Sequence, residues 1–481
     1  MGTRFLFAFS ILSSFTTAPL RAQHVPRLTS GPCEIAKVEG KAICGTLTVW
    51  EDREAHAGRT LDLYFVVLPA TDPNPEPDPI YVLTGGPGSA DTGSAGGWAR
   101  SPHREHRAIV MMDQRGTGRS NVLDCLFDDD APVEVYLGQI FDPDHIARCA
   151  ETLTARADLT KYTSPLSLDD LDDLRRTLGH DRINLWGSSY GTRASLVYLR
   201  RHEPHVRSAV LNASMSLGQT MPEGMARDAE AAIQNVIADC AEMPDCAATY
   251  PDLNEEYRVA VEGARDPVPV TILDPRSGET VEAVMQPAGF AESLRAMLYD
   301  PGMTRDIPRL LHVAATEGDY DRFAQFGAAR AYNIGRLAAT GMYLSVTCAE
   351  DVPFANEAGE YEQGAGTFLA DARARSHFDA CRRWPTGSVP EDFHHNVASE
   401  VPVLIVNGTN DPVTPPRWGA DAARTLPNSV LVVVPHGHHG WGALENAGDC
   451  LAAIQLAFLA DPDTKPDLAC LGEIRRRPFM E

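Results

Sequence analysis

One stretch, Ile183-Asn184-Leu185-Trp186-Gly187-Ser188-Ser189-Tyr190-Gly191-Thr192, restricts what this chain can become more than any other. An apolar run short enough for a buried strand meets the pattern G-x-S-x-G, and the residues from Thr192 to Arg201 then read as a helix. Strand, sharp turn and helix in that order hold a serine at the tip of a strained turn. Gly187 and Gly191 are needed there because side chains would collide with the crossing strand and helix. Ser189 is therefore the candidate nucleophile. Chance can produce three fixed characters in a glycine-rich chain, so it is the flanking strand and helix that make the signal specific.

Around this turn the chain alternates strands and helices. Thr46–Trp50 and Leu61–Leu68 read as strands flanking a polar turn, an antiparallel entry into a sheet. After the proline-rich segment Pro73 to Pro79, Ile80–Leu83 is a third strand running into Thr84-Gly85-Gly86-Pro87-Gly88-Ser89. Glycines at a strand end let amides point into open space, as a pocket for a developing oxyanion requires. Pro87 has no N–H, so Gly86 or a neighbour must donate. A phosphate cradle is the weaker reading, since no G-K-[ST] ending follows. Ala108–Met112 is another strand, ending in Asp113-Gln114-Arg115-Gly116-Thr117-Gly118-Arg119-Ser120. Asp113 and Arg115 read as a structural charge pair that holds this loop rather than as catalytic groups. Leu166–Gly179 has helical spacing with acids early and glycine last, and Ala209–Asn212 is a further strand.

This rhythm predicts an α/β fold: a mostly parallel central sheet with helices on both faces. From Met215 to Pro390 the pattern turns helical, through Met225–Cys240, Phe290–Leu298 and Tyr320–Leu344, and predicts an inserted helical cap. The expected division is a signal peptide at 1–22, the first part of the core at 23–214, the cap at 215–390, and the second part of the core with a cysteine-bearing tail at 391–481. Within the cap, Cys348-Ala349-Glu350-Asp351 sets two carboxylates beside a predicted disulfide; either acid, facing the cleft, would bind a substrate amine.

The sheet resumes with Val401–Val406, whose end carries Asp411 in Asn407-Gly408-Thr409-Asn410-Asp411-Pro412-Val413-Thr414-Pro415. Val430–Val434 follows and ends in Pro435-His436-Gly437-His438-His439-Gly440. Strand C-termini of an open parallel sheet share one edge, so Ser189, Asp411 and one of these histidines can meet there. The order Ser, Asp, His is that of α/β-hydrolases. Histidine followed by glycine permits the close turn the loop needs, which leaves His436 and His439 open.

The net charge of −24 over 481 residues argues against nucleic acid or anionic lipid as partner. Met1-Gly2-Thr3-Arg4 followed by Phe5–Leu12 has the basic start and short apolar stretch of a secretory signal with a cut after Ala22, too short to span a membrane. All ten cysteines lie beyond it, which predicts five disulfides in a secreted or periplasmic protein. Closure between nearest neighbours would pair Cys33 with Cys44, Cys125 with Cys149, Cys240 with Cys246, Cys348 with Cys381 and Cys450 with Cys470. With no C-x-x-C or H-E-x-x-H in the chain, a metal site is not expected.

Gly85-Gly86-Pro87-Gly88, the run Asp113 to Ser120, Gly187-Ser188-Ser189-Tyr190-Gly191-Thr192 and Asp411-Pro412-Val413-Thr414-Pro415 together resemble the proline iminopeptidase and tripeptidyl aminopeptidase group of α/β-hydrolases. The likeness extends from Cys33 nearly to the C-terminus, and the cysteine-bearing tail looks like that of the secreted tripeptidyl aminopeptidase branch. It departs at Thr84, where many relatives have histidine. The resemblance implies a serine exopeptidase that needs no cofactor, with Ser189 as nucleophile, Asp411 as acid and His439 as base, and with the amides of Gly86 and Tyr190 as oxyanion donors. It implies peptide substrates cut from the amino end through an acyl-enzyme. A carboxylesterase for small or aromatic esters is the second reading, and a non-catalytic binding protein on the same fold the third. Residues released per cut, proline preference and oligomeric state are left open by the sequence.

Overall fold

The computed structural model describes residues 25–35, 38, 41–128 and 130–480; the expected signal peptide lies outside them. Eleven strands run, in chain order, β1 (Arg27–Cys33), β2 (Ala42–Trp50), β3 (Thr60–Leu68), β4 (Ile80–Leu83), β5 (Ile109–Met112), β6 (Ile183–Ser188), β7 (Val206–Asn212), β8 (Val268–Leu273), β9 (Thr280–Met285), β10 (Val403–Gly408) and β11 (Ser429–Val434). Nine of them form one sheet in the order β1-β2-β3-β5-β4-β6-β7-β10-β11. The pairs from β1 to β5 are antiparallel, and those from β5 to β11 are parallel. The antiparallel entry is thus as read from the sequence, with β1 as an added edge strand.

The central strands are apolar on both faces because both faces are covered. Along β4, Tyr81 and Leu83 join one cluster while Ile80 and Val82 join another. β5 and β10 split likewise, with Val110, Met112, Val403 and Ile405 on one face and Ile109, Met111, Leu404 and Val406 on the other. Period-two alternation in a continuous apolar run therefore sends successive side chains into two different cores. Each fully buried aliphatic side chain contributes about 1.5–3 kcal/mol.

A third cluster, built mainly from residues between Ala226 and Ala328 and joined by Phe368, Leu369 and Phe479, forms a separate apolar core over the sheet. It includes the antiparallel β8–β9 hairpin, which the helical pattern of this region did not announce. The expected helix from Tyr320 to Leu344 is two helices, Asp321–Leu337 and Thr340–Glu350, broken at Ala338 and Ala339. The break has a partner: Ala338 bridges Ser89, and the Ala339 amide donates to the Gly88 carbonyl at 2.9 Å. Beyond it, Met342, Leu344, Val346 and Cys348 pack into the core of the sheet domain, so the segment 340–350 belongs to the body that carries the sheet.

All five disulfides join sequence neighbours: Cys33–Cys44, Cys125–Cys149, Cys240–Cys246, Cys348–Cys381 and Cys450–Cys470. Short loops closed within one region staple local structure and need no long-range pairing to be right first.

The loop after β5 corrects one expectation. Asp113 and Arg115 are both fully buried but do not pair with each other. Asp113 caps its own loop, accepting from the amides of Thr92 at 2.9 Å and Arg119 at 3.0 Å. Arg115 reaches the opposite way and forks onto Asp170 at 2.7 and 3.0 Å, while donating to the carbonyls of Glu51 and Lys161 at 2.9 and 2.7 Å. Residues two apart share a side only while the chain stays extended; β5 ends at Met112 and the turn begins at Arg115, so the two side chains part. Removing one member of such a buried pair strands the other, at about 3–5 kcal/mol. Arg115→Met is expected to lower the denaturant midpoint by an amount of that order, whereas Arg59→Met, whose side chain is 43% exposed beside Glu51, changes it little.

Candidate active site

The elbow forms where the sequence places it. β6 ends at Ser188, the helix Tyr190–His202 begins at once, and Ser189 between them has φ 56° and ψ −126°. A non-glycine residue at positive φ is strained and persists only where its surroundings enforce it. They do so through the Ser189 amide, which donates to the Asn212 carbonyl of β7 at 2.9 Å, and through tight crossings on either side. A Cβ on Gly191 would collide with the Leu83 carbonyl at the end of β4, and one on Gly187 would stand 2.5 Å from the Gly191 carbonyl.

His439 brings its Nε2 to 2.8 Å from Ser189 Oγ and its Nδ1 to 2.9 Å from Asp411 Oδ2. Asp411 is buried and fixed by three further donors: the amides of Val413 and Thr414 on Oδ1 at 2.8 and 2.9 Å, and Thr414 Oγ1 on Oδ2 at 2.7 Å. Burial raises its pKa, but the His439 imidazole and the Thr414 donors outweigh this and leave the carboxyl below its ordinary value. An ionised carboxylate on Nδ1 fixes the tautomer that leaves Nε2 free to accept from the serine hydroxyl.

The other two histidines of the loop face elsewhere. His438 is fully buried with Nδ1 2.7 Å from the Leu298 carbonyl, and burial depresses its pKa to about 4. His436 lies 3.2 Å from Asp239. The choice between His436 and His439, open on spacing alone, is thus one of geometry: only His439 reaches the elbow.

Gly86 has φ 119° in the loop after β4, and its amide and that of Tyr190 have no acceptor among the described residues. Tyr190 begins its helix, where the first-turn N–H groups have no intrahelical partner. Two free amides beside a hydroxyl are what an oxyanion pocket needs. Thr84, the departure from the group's pattern, has a function that the sequence did not expose. Its amide and hydroxyl both donate to Asp91 Oδ1 at 2.6 Å, tying the glycine loop to the segment behind it. Burial pushes the Asp91 carboxyl up to about 8 against these bonds.

Glu350 and Asp351 do not face the cleft. Both are fully buried beneath the elbow helix. Glu350 accepts from the amide and hydroxyl of Ser164 at 2.5 and 2.7 Å, and Ser164 Oγ is 2.8 Å from the Tyr190 hydroxyl. Asp351 accepts from Arg193 Nη1 at 2.6 Å, and Arg193 also bonds the Gln219 carbonyl. These acids thus brace the helix that carries the nucleophile, and the amine-binding expectation for them fails because the helix Thr340–Glu350 packs inward.

The site opens into a cavity of about 560 Å³ under the upper core, whose lining includes Ser189, His439, Gly86 and Tyr299. The ring of Tyr299 stands edge-on to His439 at 5.0 Å. Among the described residues, no group of histidine, cysteine or carboxylate side chains could hold a metal ion, and no helix is long and apolar enough to cross a membrane.

Residues 78–249 match the family model of the alpha/beta hydrolase fold, and residues 367–470 match that of the TAP-like protein. The serine protease Hip1 of Mycobacterium tuberculosis strain H37Rv is 24% identical over 434 residues, 82% of this chain and 81% of that one. The proline iminopeptidase of Xylella fastidiosa is 28% identical over 144 residues, 30% of this chain and 34% of its own. The crystal structure of the proline iminopeptidase of Mycobacterium smegmatis superposes with a TM-score of 0.36 at 17% identity, covering 84% of this chain and 96% of that one.

Two measurements test the site's construction. A Cβ on Gly85 would stand 2.9 Å from Ser189 Cβ and 3.3 Å from its Oγ, so Gly85→Ala is expected to cut kcat by at least tenfold while the melting temperature moves little. The second concerns Glu350, whose carboxyl is pushed up to about 7 by burial, with the Ser164 donors acting the other way. The folded state then holds a proton there that the unfolded state releases above about pH 4.5, so this group's contribution to stability falls as pH rises from about 4.5 to about 7. Urea midpoints of Glu350→Gln should therefore decline less than those of the parent over that interval.

Proposed function

The chain is an α/β-hydrolase of the TAP-like and proline iminopeptidase group, a serine hydrolase of the peptidase kind, and from this premise we propose that it is an exported aminopeptidase releasing short N-terminal fragments or single residues. The single observation that carries the reading is the relay in which Asp411, His439 and Ser189 stand 2.9 and 2.8 Å apart at the mouth of a roofed cavity. Ser189 Oγ attacks the scissile carbonyl as His439 Nε2 takes its proton, and Asp411 stabilises the imidazolium. The amides of Gly86 and Tyr190 hold the oxyanion. His439 then gives its proton to the leaving amine, and water releases the acyl group by the reverse path.

A cavity of about 560 Å³ takes a few residues rather than a long chain, which supports an exopeptidase. Among the described residues the cavity is lined by one carboxylate, Glu292, which accepts from Arg373 Nη1 through Oε2 while its buried Oε1 has no hydrogen-bond partner. Five disulfides support an oxidising compartment, as a secretory signal at 1–22 would require.

Hydrolysis of aminoacyl to tripeptidyl nitroanilides with free and blocked amino termini, beside short-chain nitrophenyl esters, tests the proposal. Free peptide anilides are expected to be cut at least tenfold faster than blocked ones. Turnover of esters alone would make the protein a carboxylesterase. Fluorophosphonate labelling should vanish in Ser189→Ala, and Asp411→Asn should lower kcat by about 10⁴-fold with little change in KM.

A further inference from the structure

The charge inside the cavity is opposite to that of the whole protein. Among the described residues, four guanidinium groups, from Arg295, Arg330, Arg336 and Arg373, line it against the one carboxylate of Glu292, in a chain of net charge −24. Glu292 is already engaged, accepting from Arg373 Nη1 at 3.0 Å with Arg295 Nη1 a further 3.9 Å away.

The remaining cations are poorly matched by protein. The Arg295 side chain is 4% exposed, yet its Nε and Nη2 have no hydrogen-bond acceptor among the described residues. Arg330 has no carboxylate within ion-pair distance among the described residues; it lies over the Tyr299 ring, its Cζ 4.8 Å from the centroid, with the Arg295 Cζ at 5.3 Å from the same ring. Tyr299 is the ring set against His439, so both guanidiniums stand one aromatic side chain away from the relay. Buried donors without acceptors are costly, and buried cations without anions more so. A substrate that brought only an ammonium to Glu292 would add to the excess positive charge.

We infer that the cavity holds a carboxylate subsite, in which Arg295 and Arg330 receive an acidic group of the substrate beside Tyr299. The chemistry suits a planar guanidinium, which pairs with a carboxylate through two parallel N–H bonds. This deepens the aminopeptidase reading and rests on it: the preferred substrate is a short peptide that carries an acid, either as a Glu or Asp side chain or as a nearby free C-terminal carboxylate.

Paired substrates test this on the full chain. Peptide nitroanilides differing only as Glu or Gln at each acyl position separate the side-chain source, and short peptides with free or amidated C-termini separate the terminal one. An acidic member of one pair is expected to have a kcat/KM at least tenfold above its neutral isostere, mainly through KM. Arg295→Gln and Arg330→Gln should each reduce that ratio to about two or below. A second readout is independent of peptidase activity: glutarate should slow fluorophosphonate labelling of Ser189, glutaramide should not, and Arg295→Gln should abolish the protection. Equal rates for every pair together with no protection by glutarate would overturn the inference while leaving the peptidase reading intact, as would a preference for Lys over Gln. Protection by glutarate with no peptide cut would do the opposite.

Discussion

The arrangement depends on one strained residue. Ser189 holds a backbone conformation that an isolated chain would avoid, and it stays there because strands on both sides and a helix below leave it no alternative. β7 receives its amide, β4 crosses too closely to Gly191 for any side chain, and the helix Tyr190–His202 starts without a linker. Strain of this kind is set against the packing of the whole sheet.

Those contacts come from an unexpected direction. The helix Thr340–Glu350 follows the region of the upper core, yet its apolar residues enter the core of the sheet and its terminal acids grip Ser164 and Arg193. The break that precedes it is pinned to the glycine loop through Ala338 and Ala339. The same few residues therefore connect the roof of the cavity, the loop bearing the Gly86 amide and the support of the nucleophile.

Much of this was legible before any coordinates. Continuous apolar runs marked β4, β5, β6 and β10 because a strand covered on both faces has no polar side to confuse the pattern. The relay was legible for a different reason: parallel strands deliver their C-termini to one edge, so loops distant in sequence are neighbours by construction. The even cysteine count announced five disulfides, and the structure decided that each joins nearest neighbours. Asp91 carried no such signal. A lone aspartate seven residues past Thr84 reads as a turn former, and only the folded loop reveals that it holds the threonine that replaces the group's histidine.

What the sequence by itself determined was everything governed by local pattern and chain order: the elbow, the sheet around it, and the order of Ser, Asp and His. What only tertiary structure decided was where charged side chains point. Asp113 and Arg115 turned away from each other, Glu350 and Asp351 turned inward, and four arginines from three helices met in one cavity. Apolar periodicity records which face of an element is buried. It does not record which other element buries it, and the partner of a charge is fixed by that second fact alone.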